Sequence, residues 1–125
     1  MGLFDALMGN ASEISVAEVN REFAAIMAPE ERVEKAYKLI RDLLIFTNRR
    51  LILVDKQGVT GKKVEVHSIP YRSITHFSVE TAGNFDLESE LKIWVSGKAE
   101  PFEKTFSKGL NIYEVQSVLA SYVLK

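Results

Sequence analysis

The chain has 125 residues, 16 basic and 17 acidic side chains, a formal net charge of −1, and no cysteine. That length is ordinary for one domain with a single core. The charge balance excludes a general attraction to nucleic acid or anionic membrane, and the missing thiols exclude disulfides and thiolate metal sites, a composition that fits a cytoplasmic protein.

The opening "MGLFDALMGN" places Leu3, Phe4, Leu7 and Met8 at helical spacing. It lacks a basic leader and is too short for a signal peptide or a membrane span. Gly2 invites a myristoylation reading, but Ala6 stands where that motif needs a hydroxyl. A second helix is predicted from Ser15, whose hydroxyl forms a capping box with Glu18. Val19, Phe23, Ile26 and Met27 line one face of it, and Pro29 ends it. We therefore expect a helical segment over residues 1–28 followed by a single domain over 29–125.

The segment "EERVEKAYKLI" supports two readings. Its residues favour helix, with Val33, Tyr37 and Ile40 spaced for one. As a strand, it would set Val33, Tyr37 and Leu39 on one side, with Lys35 between them. From Asp42 to Phe106 the runs "LLIFT", "RLILVD", "KVEVHSI" and "ITHFSVET" are short and β-rich. Asn48, Gly58, Gly61, Pro70, Gly83-Asn84 and Gly97 punctuate them as in an antiparallel meander. After Gly109, Asn111 and Glu114 form another capping pair, and Ile112, Val115, Val118, Leu119, Tyr122 and Val123 make the stripe of a closing helix.

Two features of the strands bear on function. In "DLESELKIWV", Leu87, Leu91, Ile93 and Val95 share one face, and Glu88, Glu90, Lys92 and Trp94 share the other. The only tryptophan thus sits among charges, either as an interface anchor or as a cover over a neighbouring strand. The runs Leu43–Phe46 and Leu51–Val54 are apolar on both faces, whereas a sheet with one wet face alternates. The N-terminal helices or a second copy of the chain would have to cover the extra face.

The motifs that could carry chemistry fail on detail. "GVTGKK" has two residues between its glycines where a phosphate loop needs four, and a strand follows it instead of a helix. It reads as a glycine-bearing hairpin. Arg49 and Arg50 are consecutive on an extended chain, so their side chains diverge and cannot clamp one phosphate. His67 and His76, the only histidines, lack a close-spaced ligand cluster. Glu88 and Glu90 share a face with Lys92, which marks a solvated row more than an acid–base pair. No nucleophile elbow, triad signature or HExxH occurs, and the aromatics lack the basic-Gly-aromatic pattern of RNA-binding sheets. We expect neither an enzyme nor a cofactor or metal site.

The stretch "LLIFTNRRLILVDKQGVTGKKVEVHSIPYRSITHFSVETAG" followed by "FDLESELKIWVSG" closely resembles the bacterial pleckstrin-homology-like family, formerly a domain of unknown function. The resemblance extends over nearly the whole chain. It implies an α+β, mainly β fold: a PH-like roll of about seven antiparallel strands capped by a C-terminal helix. That count makes "RVEKAYKLI" a strand. It further implies a cytoplasmic, non-enzymatic protein that assembles into a closed ring of about five copies. A polar surface where strands of adjacent copies meet would then dock another protein. The basic loop of lipid-binding relatives has no counterpart at Ile40-Arg41-Asp42, a short turn with one arginine beside an aspartate.

Two functions are thus in play. The first is a ring-forming scaffold, with Arg49, Arg50, Glu80, Asp86 and Glu88 near hairpin ends as partner contacts and Trp94 as a subunit contact. The alternative is a peripheral membrane or lipid-headgroup module, with the first helix lying in the interface. That helix lacks the basic flank such binding uses.

Overall fold

The computed structural model describes residues 15–39, 42–57, 63–81, 89–106 and 111–124, which fall in two compact units, residues 1–69 and 70–125. The expected first helix, the Ile40-Arg41 turn, the Gly58–Lys62 hairpin, Gly83-Asn84, Asp86 and Glu88 lie outside the described residues.

The first unit begins with helix α1, Val16–Glu22. Its start is the expected one: Ser15 Oγ accepts from the Glu18 N–H at 3.3 Å. The reciprocal half of the box is not made, and Glu18 Oε2 is closed to solvent without a hydrogen-bond partner. Phe23 leaves helical dihedrals at φ −105° and ψ 17°, and a single 3₁₀ turn, Ala24–Ile26, follows. The α-helical stripe therefore holds for Val19, Phe23 and Met27 but not for Ile26, which is 39% exposed.

A four-stranded antiparallel sheet follows, in the order β1 (Val33–Lys38), β2 (Leu43–Thr47), β3 (Arg50–Gln57), β4 (Lys63–Pro70). The ambiguous segment is thus a strand, with one correction to its expected pattern. The register shifts between Val33 and Lys35, so Val33 pairs with Thr47 while Ala36 pairs with Ile45 and Tyr37 with Leu44. A bulge flips the alternation. Val33 and Ala36 share the face that packs on Val19, together with Leu43, Ile45, Ile52 and Val54. Tyr37 falls on the opposite face, edge-on to Phe46 at 6.2 Å and 89°.

All five positions of β2 are buried, as are Leu51 to Val54. Val19, Val16, Phe23 and Met27 cover one face. Leu44, Phe46, Leu51 and Leu53, on the other, are equally closed to solvent within a single chain. The two-sided apolar strands therefore do not require a second copy to cover them.

The second unit holds a three-stranded antiparallel sheet, β5 (Ile74–Glu80), β6 (Ser89–Val95) and β7 (Phe102–Phe106), and helix α2, Ile112–Val123. Leu91 and Ile93 are buried, as period two predicts. Gly97 turns the chain from β6 to β7 with φ +80°, a conformation glycine adopts without strain. Asn111 caps α2 by accepting from the Tyr113 and Glu114 N–H groups at 3.1 and 3.3 Å. Ile112, Val115 and Leu119 are its buried stripe, and Tyr122 stacks on Tyr71 at 4.6 Å.

Among the described residues, one position outside glycine is left-handed: Glu30, φ 64°. It follows Pro29 in a turn closed by the Glu31 N–H on the Ala28 carbonyl at 3.0 Å, the geometry in which the residue after proline favours glycine. We expect Glu30→Gly to stabilise the fold by about 0.5–1 kcal/mol, read as a higher urea midpoint. An unchanged or lowered midpoint contradicts this.

Candidate protein-interaction site

The paired arginines have opposite fates. Arg49 is exposed, and its guanidinium makes no hydrogen bond or ion pair among the described residues. Arg50 turns inward, its side chain 22% exposed, onto Glu31, whose side chain is 1% exposed. Nε meets Glu31 Oε2 at 2.8 Å and Nη2 meets Oε1 at 3.0 Å, a bidentate fork. Nη2 also donates to the Ile26 carbonyl at 2.6 Å, and Nη1 to Ser68 Oγ at 2.7 Å. Glu31 completes its shell with the Thr47 hydroxyl at 2.6 Å and the Ala28 N–H at 2.9 Å. Thr47 Oγ1 in turn accepts the Arg49 and Arg50 N–H groups at 3.0 and 2.9 Å, which fixes the tight turn between β2 and β3.

Burial pushes the Glu31 carboxyl up. Hydrogen bonds from Arg50, Ala28 and Thr47 and the nearby Arg50 charge outweigh it and hold the group below the ordinary carboxylate value. Asn48 extends the knot: its Oδ1 accepts the Arg32 N–H at 2.8 Å and its Nδ2 donates to the Glu30 carbonyl at 3.2 Å. Arg50 is thus a tie between the segment before β1 and the hairpin, and its guanidinium is engaged inside the chain.

Of the other candidates, Glu80 and Trp94 lie on the outer face of the three-stranded sheet. Cross-strand register sets His76 against Trp94, Ser78 against Lys92 and Glu80 against Glu90. On the far side Lys92 faces Glu103 and Glu90 faces Thr105. Lys92 Nζ reaches Glu90 and Glu103 at 3.6 and 3.7 Å; these are exposed pairs of small energetic value. Glu80, at the end of β5, is exposed. Trp94 is half-buried, and the His76 ring stacks on it at 4.3 Å with planes 15° apart. Part of the Trp94 ring is thus covered within the chain, and part of it stays open to solvent. The result is an aromatic plate beside a row of mixed charge.

The sequence signalled Trp94 but not His76, because a bulge between Ile74 and His76 sets which residue lies opposite. It also missed Glu31, which looks like any acidic residue after proline. Among the described residues no group of His, Asp or Glu is placed to hold a metal ion, and no helix is long and apolar enough to cross a membrane.

A family model described as "Bacterial PH domain" matches residues 2–123. The uncharacterized protein YjqA of Bacillus subtilis (strain 168) is 60% identical over 122 residues, covering 97% of this chain and 98% of the relative. The crystal structure of a pleckstrin homology domain from Shewanella amazonensis SB2B superposes with a TM-score of 0.84 at 52% identity, covering 99% of this chain and 100% of that one. A DUF1696 family protein with a pleckstrin-homology domain, from Shewanella loihica PV-4, gives 0.79 at 50% identity over 91% and 97% of the two chains. The fold is PH-like, with seven strands and a C-terminal helix among the described residues.

Proposed function

Since this chain belongs to the bacterial PH domain family, we propose that it is a non-enzymatic cytoplasmic interaction domain whose copies close into a ring of about five and present polar strand surfaces to a protein partner. The observation that carries the reading is the outer face of β5, β6 and β7. There a half-buried tryptophan, backed by His76, stands beside a rim of Glu80, Glu90, Lys92 and Glu103. An aromatic anchor within a polar rim is the composition of a protein–protein contact. A contact made by this face with a different surface of the next copy repeats from copy to copy, and gives a ring when its rotation closes. Arg49 and Glu80, both exposed, remain available for a partner. Headgroup binding has less support, because Arg50 is spent on Glu31, Ile26 and Ser68.

Trp94→Ala tests the assembly. Truncating an anchor costs about 2 kcal/mol or more of contact energy, so the ring should dissociate at micromolar concentration in native mass spectrometry. A variant that keeps the wild-type copy number removes Trp94 from the subunit contact.

A further inference from the structure

The two ends of the four-stranded sheet are unlike. At β1 the edge is occupied: Asn20 Oδ1 accepts the Val33 N–H at 2.9 Å and Asn20 Nδ2 donates to the Val33 carbonyl at 3.4 Å, so a side-chain amide stands in for a neighbouring strand. At β4 no further strand follows among the described residues. β4 is exposed at Lys63 through Val66, with Val64 and Val66 at 46% and 41%. Those two valines share one face and Lys63 and Glu65 share the other. Charged side chains on an open edge ordinarily deter pairing. Here their signs alternate along the strand, which makes the edge complementary to itself.

We propose that β4 pairs antiparallel with β4 of a second copy about a two-fold axis through Val64. In that register each Lys63 lies opposite the Glu65 of the second copy, twice over. The two Val64 side chains face each other, with the two Val66 side chains diagonal to them. Moving the axis to Glu65 would set the two carboxylates against each other, which is destabilising. The axis at Val64 is therefore selected by charge, and the contact is isologous. It goes beyond the ring reading, which rests on the face around Trp94 in the other sheet, and the two are tested by different variants. A pairing this short buries little area, so it forms reversibly with concentration.

Sedimentation velocity over a concentration series tests it. Wild type should double its mass as concentration rises. Lys63→Glu alone, and Glu65→Lys alone, should stay at the lower mass, because each sets like charges opposite. The double variant Lys63→Glu/Glu65→Lys should double again, since the swap restores both pairs. Both substitutions are at exposed positions, and an unchanged near-ultraviolet spectrum checks that each variant is folded. In the Trp94→Ala background the same doubling should appear from a smaller starting species, so loss of the ring is read separately from loss of this pairing. Doubling by Lys63→Glu alone, or no doubling by the double variant, overturns the proposal.

Discussion

Arg50→Ala should lower stability by about 3 kcal/mol, the low end of the range for breaking a buried pair, because the arginine is partly open to water. The loss exceeds the worth of the pair itself. It leaves a carboxylate whose side chain is 1% exposed with its charge uncompensated, and it frees the Ile26 carbonyl and Ser68 hydroxyl held by the same guanidinium. Arg50→Lys should recover only part of the loss, since an ammonium cannot reproduce the fork on Glu31. Urea midpoints of the three proteins check the order. Equal midpoints for wild type and Arg50→Ala would mean that water, and not Arg50, compensates Glu31.

The same knot gives a pH dependence whose sign follows from the lowered Glu31 value. A carboxylate whose folded pKa is depressed contributes stability that is fully present above its unfolded value. That contribution is lost as pH falls through the folded value. The stability gap between wild type and Glu31→Gln should therefore be widest near neutrality and should close in acid. A gap that widens on acidification would contradict the ion pair.

Phe46→Ala should cost about 3–5 kcal/mol, a large share of the total for a domain of this size. Phe46 is 0% exposed and meets Tyr37 edge-on. Its removal leaves a cavity that the flanking strands, paired to this position through Lys35 and Leu51, cannot collapse to fill. Phe46→Leu, which keeps most of the volume, should cost about 1–2 kcal/mol. A loss under about 1 kcal/mol for the alanine variant would show that the site relaxes.

What the sequence makes legible is local. The hydroxyl of Ser15 and the amide of Asn111 cap helices at the expected positions because a cap is satisfied within three residues. Leu91 and Ile93 are buried and Trp94 is not because alternation is a property of one strand. Whatever depends on a second segment is hidden. The bulge in β1 redistributes Val33, Ala36 and Tyr37 between two faces, and nothing in "RVEKAYK" marks it. Arg50 looks like a surface cation beside Arg49, because its partner Glu31 lies 19 residues earlier. The greasy runs of β2 and β3 invited a second copy because one strand's sequence cannot say whether its own chain returns to cover it. The plate under Trp94 depends on the His76 register and is invisible for the same reason.

The proposed assembly through the face around Trp94 is tested most directly by the mass of the protein in solution. Light scattering on wild type eluting from a sizing column should give several times 14.1 kDa at micromolar concentration. A single species of 14.1 kDa across that range would contradict it.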